Sequence, residues 1–359
     1  MHWIYEYLSC PVCSGDLKIE PVDETGHLVC EGTMKCKSCE KIYPIINTIP
    51  RLVEDSAVIY EEFYKKHGIP IWNPSAESRL FKKTMESYQK WHLEILSPFI
   101  YKELQAKEIL INRCLASTEN ISGKVVLDAG TGHGAYLRPL MEMKAKYVIG
   151  MDLGRGVEIA WEKNQDMPNL LVIQGNIMKS PVKENKIDFA ISHGVLHHTP
   201  DPEKAFGSLA GIVKENGQMG IYVYWQGMQP YDERPQQFKK LLWRHIIIEP
   251  IRRGITNLSH RNIMMIAKSL FAVKKWINAV YRILGVKWMV NISEKIIPYD
   301  LSEGKSRFVS RCYDSLSTKY LFNHNNEEVI NWFINNGFDE LQVGPYPVSI
   351  LGKKKPGNR

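Results

Sequence analysis

The sequence lacks any long uncharged apolar run. No stretch approaches the roughly 18 residues that mark a membrane-spanning helix, and the opening MHWIYEYLSC has no basic leader followed by an apolar segment. We therefore expect neither a membrane span nor a secretory signal, and a cytoplasmic location. With 359 residues, 44% of them hydrophobic and 24% charged, the chain has an ordinary globular composition and room for two domains.

The cysteine content does not suit a disulfide framework. Seven is an odd number, and four of the cysteines form two C-x-x-C pairs separated by residues 14–35. This spacing is the usual ligand set of a zinc ribbon. Because a segment of about 50 residues buries too little apolar surface to fold alone, we predict a structural Zn²⁺ held by Cys10, Cys13, Cys36 and Cys39. We expect Cys30 to be a buried thiol and YPIINTIPRLV to be a closing strand.

Acidic residues are missing between Glu249 and Glu294. Within this stretch, apolar residues recur at alternating spacings of three and four, at positions Ile263, Ile266, Leu270, Val273, Ile277, Val280 and Leu284. The pattern predicts an amphipathic helix with Lys268, Lys275 and Arg282 on the opposite face and Lys274 on the flank. Three interpretations stay open: a cap over a substrate pocket, contact with an anionic membrane that admits a lipid-linked substrate, or a grip on RNA phosphates.

The stretch GKVVLDAGTGHGAYL combines a short apolar strand at 125–127, a glycine-rich turn and a helical pattern. Such a turn lets a ligand approach the backbone closely at a helix N-terminus. The glycines alone do not identify the ligand, because GTGHGA also fits the G-x-G-x-x-A pattern of dinucleotide-binding proteins.

Polar residues at three strand ends argue against NAD. Asp128 directly precedes the turn, where a carboxylate would repel a pyrophosphate and attract an aminoacyl ammonium or a sulfonium. Asp152 ends the next strand, in YVIGMDLG, and is placed to accept hydrogen bonds from two ribose hydroxyls. Asn176 ends the third strand, in LVIQGNI, where its amide and the backbone of Ile177 would meet an adenine edge.

A fourth strand, Ile187 to Ser192, leads in IDFAISHGVLHHTPDPEKAF to a histidine-rich turn and a helix. The ordered series over residues 123–224 resembles the S-adenosylmethionine-dependent methyltransferases, in particular the large family with an LHH turn after strand four. The resemblance implies an α/β fold with a Rossmann-like seven-stranded sheet, and S-adenosylmethionine as cofactor.

The resemblance also assigns cofactor-binding residues in this sequence. They are Asp128, Gly130, Thr131 and Gly132 for the methionine part, Asp152 with Leu153 beside it for the ribose, Asn176 and Ile177 for the adenine, and Ser192 and His193 for the wall nearest the methyl group.

Three histidines share one short turn at the carboxyl end of the sheet: His193, His197 and His198. A hydroxyl or amine acceptor must lose a proton when it is methylated, and an imidazole of near-neutral pKa suits that role. We expect the LHH pair to serve structure in part, and His198 or His193 to be the catalytic base. No carboxylate lies at ligand spacing with them, so no metal site is expected here.

The N-terminal segment carries a second resemblance, over residues 7–53. Its pattern CPVC…L…CxxC…YPI…IPRL resembles the small zinc-ribbon proteins that partner and activate tRNA and protein methyltransferases, a module also fused in front of many bacterial methyltransferases. After a fifth strand in GQMGIYVYW, the usual ending of the family is found in NNEEVINWFINNGFDELQVGPYPVSILGKKK, as a helix to about Asn335, a stop at Gly337 and two strands.

These features predict five segments: a zinc ribbon at 1–54, a helical linker or lid at 55–118 with Tyr60, Phe63, Tyr64 and Trp72 as lid aromatics, a cofactor-binding core at 119–225, a mostly helical basic cap at 226–322, and the last helix and strands of the core at 323–359. We expect a methyltransferase acting on a small-molecule or lipid or glycan intermediate, most readily on oxygen. The alternatives are an RNA methyltransferase, or a non-enzymatic partner of another methyltransferase. The oligomeric state is left open.

Overall fold

The computed structural model describes residues 3–26, 28–71, 103–226, 249–285, 287–296 and 301–357. The chain divides into two compact units, of which the second comprises residues 94–99 and 227–321 and the first comprises the rest. Trp72, one of the predicted lid aromatics, lies outside the described residues.

The first unit is built on one sheet of eleven strands. In chain order they are β1 (Leu17–Thr25), β2 (Leu28–Cys36), β3 (Ile42–Ile46), β4 (Ile49–Leu52), β5 (Val125–Ala129), β6 (Tyr147–Asp152), β7 (Leu170–Gly175), β8 (Ile187–His193), β9 (Val213–Tyr222), β10 (Phe338–Val343) and β11 (Ser349–Lys354). Their order across the sheet is β1-β2-β3-β4-β7-β6-β5-β8-β9-β11-β10.

Strands β5 to β11 form the predicted seven-stranded Rossmann-like sheet. Strands β5 to β9 run parallel, and β11 lies antiparallel between β9 and β10. Every residue of VVLDA in β5 and of LLVIQG in β7 is buried. Such continuous buried runs are typical of parallel strands that are covered on both faces. The predicted α/β fold class is therefore confirmed.

Eight α-helices in the described part of this unit flank or connect these strands. They are α1 (Ser56–Ile59), α2 (Glu61–Lys66), α3 (Glu103–Cys114), α4 (Thr118–Ile121), α5 (Leu137–Glu142), α6 (Gly156–Asn164), α7 (Pro202–Ile212) and α12 (Asn326–Asn335). Side-chain oxygens of Ser117, Asp201 and Asn325 cap the starts of α4, α7 and α12. Gly337 follows α12 at φ +79°, which only glycine adopts without strain, so the chain turns there into β10.

The N-terminal module joins the core sheet through β4. Its β1, β2 and β3 pair antiparallel, and Asn47 and Thr48, both with positive φ, then turn the chain into β4. β4 pairs parallel with β7, with Arg51 opposite Gln174 and Leu52 opposite Gly175. The prediction of one closing strand is therefore wrong, because the stretch divides at this turn and its second half extends the core sheet.

The second unit is helical where it is described. It contains α8 (Glu249–Ile255), α9 (His260–Leu284), α10 (Lys287–Ile296) and α11 (Lys305–Ser317). The Ser259 side chain caps the start of α9, and Gly285, in the left-handed conformation, ends it. Phe271 of α9 packs edge-on against Phe308 of α11, with ring centroids 5.3 Å apart. No helix in the described part of the chain has both the length and the apolar character to cross a bilayer.

The buried face of α9 differs from the predicted one. Ile263, Ala267 and Lys274 are buried, whereas Val273 and Leu284 are 47% and 68% exposed. The predicted flank position of Lys274 is therefore wrong. The covered face runs from Ile263 to Ala267, four residues on, and to Lys274, seven residues further, so it is rotated away from the face that hydrophobicity alone predicts.

Candidate cofactor and substrate site

The turn after β5 is closely packed at two glycines. Gly130 has φ +91°, and a Cβ placed on it would lie 2.3 Å from a methyl of Val195; at Gly134, with φ +79°, a Cβ would lie 2.9 Å from Ala160. The backbone amides of Gly130 and Thr131 both donate to the carbonyl of Met151 at the end of β6. The turn is therefore a rigid cradle in which a side chain at Gly130 or Gly134 would displace its neighbours.

Asp128 lies beneath this turn as a buried carboxylate. It is 1% exposed, and its Oδ2 has no hydrogen-bond partner among the described residues. Burial raises the pKa of Asp128 to about 7; the neighbouring Thr131 side chain lowers this pKa in part, and the charge of Asp152 raises it further. A buried, under-bonded acid is costly when it is ionised, so it favours the arrival of a cation or a hydrogen-bond donor.

Asp152 is fixed at the end of β6 by two backbone amides. Gly132 donates to its Oδ2 at 2.9 Å and Gly154 donates to its Oδ1 at 2.7 Å. The side chain is only partly buried, and each carboxylate oxygen keeps acceptor capacity beyond the bond it receives. The carboxylate is therefore oriented to accept further hydrogen bonds from a diol.

The loop after Asp152 is supported by residues that sequence reasoning did not select. The Gln174 side chain donates to the carbonyl of Leu153 at 2.9 Å, and the Tyr60 hydroxyl donates to the Gln174 carbonyl oxygen. Arg51, fully buried, contacts Tyr60 and pairs with Glu158 at 2.8 Å. These contacts join residues far apart in the chain, which is why no local pattern indicates them.

Three of the aromatics predicted to form a lid pack where the N-terminal module meets the core. Phe63 and Tyr64 are buried, and the Tyr64 hydroxyl bonds to Ser56 and to the carbonyl of Ile42 in the N-terminal module. Tyr60 is held by Arg51, as above. The side chains of these three thus have packing contacts between the module and the core, and their role as a lid over the cofactor stays a prediction.

The remaining predicted cofactor residues differ in their exposure. Thr131, Ile177 and Ser192 are buried, and the Ser192 hydroxyl donates to the carbonyl of Ala129 at 3.0 Å. Asn176 is half-buried and accepts a hydrogen bond from the amide of Met178 at 2.9 Å. That bond uses the side-chain oxygen of Asn176, and the side-chain NH₂ group takes no part in it.

The two members of the LHH pair have different environments. His197 is fully buried, stacks on Tyr224 at 3.8 Å and accepts a hydrogen bond from the Tyr224 amide at Nδ1. Burial first, and then neighbouring histidines, lower the pKa of His197 well below its usual value. His198 is half-buried and meets the Tyr224 ring edge-on at 5.6 Å. His197 therefore serves packing, and His198 is the more accessible ring.

His193 lies in a group of polar and aromatic side chains at the end of β8. Its Nδ1 is 2.9 Å from the Tyr136 hydroxyl, its Nε2 is 3.4 Å from Nη1 of Arg113, and its ring stacks on Tyr222 at 5.1 Å. Burial, followed by the charge of Arg113, lowers the pKa of His193 to about 3. His193 is therefore neutral near pH 7. Sequence reasoning missed Arg113 and Tyr136, which lie far from His193 in the chain.

The four paired cysteines converge in the N-terminal module. Their sulfurs all lie within 4.8 Å of one another, with Cys10 to Cys39 at 3.6 Å and Cys13 to Cys36 at 3.5 Å. Tetrahedral zinc with four thiolates needs sulfurs about 3.8 Å apart, so the set fits Zn²⁺. The Tyr43 hydroxyl lies 3.1 Å from the Cys10 sulfur.

Cys30 stands outside this set. It is half-buried, and its thiol donates to the Thr25 hydroxyl at 3.3 Å. The expectation of a buried thiol is therefore wrong, because β2 presents this residue beside the exposed end of β1.

A comparison with known protein families finds a match over one part of the chain. A family model described as a methyltransferase domain matches residues 127–221, from β5 to the end of β9. This part of the chain is an S-adenosylmethionine-dependent methyltransferase domain. The region contains the Gly130 cradle, Asp128 and Asp152, and their arrangement fits that cofactor: an under-bonded buried acid for a cationic aminoacyl group, and an oriented carboxylate for a diol.

Curated relatives of the domain act on different acceptors, according to their names. The chain is 25% identical over 126 residues to a sterol 24-C-methyltransferase of Schizosaccharomyces pombe, covering 34% of this chain and 33% of the relative. It is 24% identical over 164 residues to a tRNA U34 carboxymethyltransferase of Campylobacter curvus, covering 44% and 54%. It is 27% identical over 130 residues to a ubiquinone biosynthesis O-methyltransferase of Vibrio campbellii, covering 35% and 55%. The chain thus spans between about a third and about half of these relatives.

Proposed function

We propose that this protein transfers a methyl group from S-adenosylmethionine to a small-molecule or lipid or glycan biosynthetic intermediate, at an oxygen atom. The observation that carries the proposal is the pair of carboxylates around the glycine cradle, with Asp128 buried and under-bonded and Asp152 oriented by two amides. Bound there, S-adenosylmethionine supplies an electrophilic methyl group. The similarity to an O-methyltransferase of ubiquinone biosynthesis supports oxygen as the acceptor atom.

Each proposed cofactor residue has a task that suits its surroundings. Asp128 neutralises the aminoacyl ammonium, Asp152 accepts from the ribose hydroxyls, and the NH₂ group of Asn176 donates to the adenine. The main chain at Gly130 gives a close approach that a side chain would block, since a Cβ there would meet Val195. Methyl transfer is an in-line displacement, so the enzyme contributes mainly alignment and exclusion of water.

Of the two candidate bases, His198 suits the role better than His193. A group with a pKa of about 3, as burial and Arg113 give His193, is a weak acceptor for the proton of a hydroxyl near neutral pH. His198 is half-buried at the carboxyl edge of the same sheet. We propose His198 as the base, and His193 as a neutral wall that positions the acceptor.

We propose that Cys10, Cys13, Cys36 and Cys39 hold a structural Zn²⁺. Four thiolates complete a tetrahedral set, which leaves no coordination position for a substrate. The role that follows is to hold β1 to β3 together, from which β4 extends the core sheet.

The first test of the proposal is calorimetric titration with S-adenosylhomocysteine. Asp152→Ala is expected to weaken binding at least tenfold, or about 1.4 kcal/mol, because it removes the oriented acceptor. Asp166→Ala is the matched control, since that carboxylate is exposed and pairs with Arg138 at 2.7 Å. NADH serves as the ligand control. Equal affinity of the Asp152 variant and wild type would refute the placement, and no binding by wild type would favour a non-enzymatic partner protein.

RNA is the second candidate acceptor. The exposed face of α9 carries Lys268, Lys275 and Arg282 without an acid, and one relative is named for tRNA. Phosphate contacts of this kind release counterions, so their binding falls steeply with salt. Binding to total RNA that is strongly salt-dependent and is lost when these three residues become Gln would favour RNA over the small-molecule acceptor.

A further inference from the structure

Arg113, in the last turn of α3, is held by aromatic rings. Its guanidinium carbon lies 4.7 Å from the centroid of the Tyr222 ring and 4.9 Å from that of Tyr346. Its Nη1 is 3.4 Å from Nε2 of His193, at the outer limit of a hydrogen bond. The cation is therefore enclosed by two π faces and a neutral imidazole, which stabilise it without neutralising it.

No carboxylate among the described residues lies within 4 Å of the Arg113 guanidinium. Two arginines are fully buried in the described part of the chain, and each is paired with an acid: Arg51 with Glu158 at 2.8 Å, and Arg252 with Glu249 at 2.6 Å. Arginine remains protonated in proteins, and a desolvated charge is stable when an opposite charge accompanies it. Arg113 is half-buried, and in the described part of the chain it lacks the counter-ion that accompanies Arg51 and Arg252.

The proton arrangement around His193 follows from Arg113. A guanidinium only donates, so Nε2 of His193 accepts, and the single ring proton of the neutral imidazole lies on Nδ1. Nδ1 then donates to the Tyr136 oxygen at 2.9 Å. The imidazole therefore adds neither a second cation nor a negative charge beside Arg113, and the unbalanced charge remains positive.

This cluster lies on the acceptor side of the proposed cofactor site. His193 ends β8, Tyr222 ends β9, and the two residues are paired across the sheet. β8 is the direct neighbour of β5, which carries Asp128. In sheets of this kind, ligands bind at the carboxyl ends of the strands. A group bound at Arg113 would therefore belong to a molecule beside the aminoacyl end of the cofactor.

We propose that Arg113 binds a carboxylate or phosphate group of the methyl acceptor, so that the acceptor of this enzyme is an anion. The guanidinium fork suits two parallel hydrogen bonds to such a group, and its orientation between Tyr222 and Tyr346 is set before the ligand arrives. This proposal rests on the proposed function and narrows its substrate class. The anion serves as an anchor, and no covalent step involves Arg113.

The test titrates inorganic phosphate and, separately, acetate into the full-length protein, both alone and saturated with S-adenosylhomocysteine. Binding is followed by calorimetry and by the ring resonances of His193 in histidine-labelled protein. Wild type is expected to bind at least one anion saturably, with a shift of the His193 signals. Arg113→Gln is expected to weaken that binding at least tenfold. Arg113→Lys keeps the charge but loses the fork, and is expected to weaken it less.

Arg138→Gln is the matched control, because the Arg138 guanidinium already pairs with Asp166 at 2.7 Å. It is expected to bind the anions as wild type does. Equal weakening in both variants, or no saturable binding by wild type, would overturn the proposal. If Arg113→Gln does not fold, the comparison of Arg113→Lys with Arg138→Lys decides.

Arg113 could instead bind the carboxylate of the cofactor itself. Titrations with S-adenosylhomocysteine and with 5′-methylthioadenosine distinguish this case from binding of the acceptor. If Arg113 binds the acceptor, Arg113→Gln leaves the affinity for S-adenosylhomocysteine within twofold of wild type. If it binds the cofactor, that affinity falls tenfold while the affinity for 5′-methylthioadenosine, which has no carboxylate, is unchanged; that result would overturn the assignment. Absence of S-adenosylhomocysteine binding by wild type would refute the proposed function, whereas the titrations without it still test Arg113.

Discussion

At the scale of single residues, Asp128 links the stability of the protein to its proposed ligand. Its pKa is raised to about 7 by burial, from 3.8 in the unfolded chain. Between these two values the native state binds a proton that the unfolded state has released. The stabilising contribution of this group is therefore full at acid pH, decreases as pH rises, and is absent above about pH 7.

Asp128→Asn is expected to have opposite effects on stability and binding. At pH 8 the variant should be more stable than wild type, by about 1.4 kcal/mol for each unit of pKa shift that burial imposes. It should also bind S-adenosylhomocysteine more weakly, because the amide cannot neutralise the ammonium. Chemical denaturation and calorimetry measure the two effects.

The pH dependence of wild-type binding gives an independent readout of Asp128. Its affinity for S-adenosylhomocysteine should rise between about pH 6 and pH 8 as the carboxyl ionises, and that rise should be absent in Asp128→Asn. Asp166→Asn, at an exposed acid, is the control and should follow wild type in both experiments. A wild-type affinity that is flat over this range would contradict the ammonium-binding role.

The residues of this region differ in how far the sequence identifies them. Asp128 and Asp152 were predicted because each ends a strand next to a glycine-rich or loop segment, which is a local signal. Arg113 and Tyr136 had no such signal, since they lie 80 and 57 positions before His193. Their importance depends on which elements pack beside β8, and composition or periodicity does not carry that information.

At the scale of elements, one buried side chain, Arg51, makes contacts on both sides of the junction between β4 and the core. Nη2 of Arg51 donates to Glu158 at 2.8 Å and to the carbonyl of Ile46 at 3.2 Å, and its guanidinium lies 5.2 Å from the centroid of the Tyr60 ring. Arg51 thereby joins the N-terminal module to α6. The periodicity of YPIINTIPRLV indicates β-structure but does not indicate which strand it pairs with. The buried position of Arg51 is explained only by the pairing of β4 with β7, which brings Arg51 to Glu158.

Arg51→Met is expected to destabilise the protein by roughly 1–3 kcal/mol, because it leaves the Ile46 carbonyl without its donor and removes the 2.8 Å ion pair of Glu158, whose 3.6 Å contact with Arg155 remains. Arg138→Met removes an ion pair in which both side chains are substantially exposed, and should cost about 1 kcal/mol or less. Urea denaturation of both variants measures the difference. Equal costs would mean that the junction is held by the strand pairing and apolar packing without Arg51.

At the scale of the whole molecule, the fold class was predictable because the strand motifs occur in a fixed order along the chain. What the sequence did not indicate is that the cysteine module shares one continuous sheet with the domain at residues 127–221. Two segments that read as separate domains in the sequence therefore lie in one compact unit. Contacts through Arg51, Tyr60 and Gln174 connect the module to the loop at Leu153, where the ribose of the cofactor is proposed to bind.

This continuity sharpens the expectation for metal removal. Cys36→Ser should lose zinc and lower the melting temperature by several degrees, since metal-binding free energy in such modules is folding free energy. At temperatures where the variant remains folded, its affinity for S-adenosylhomocysteine should stay close to that of wild type, because β4 is separated from the cysteine cluster by β3. Cys30→Ser is the matched control, as that thiol lies outside the cluster and bonds Thr25.

Metal analysis, thermal unfolding and calorimetry on the same samples distinguish the possible roles. Loss of zinc with lower stability and retained cofactor affinity supports a structural ion. If cofactor affinity or transfer activity fell while the melting temperature was unchanged, the metal would act on the site itself. The contacts from Arg51 through Tyr60 and Gln174 to Leu153 would then be the ones to test by mutation, because they connect β4 to the Asp152 loop.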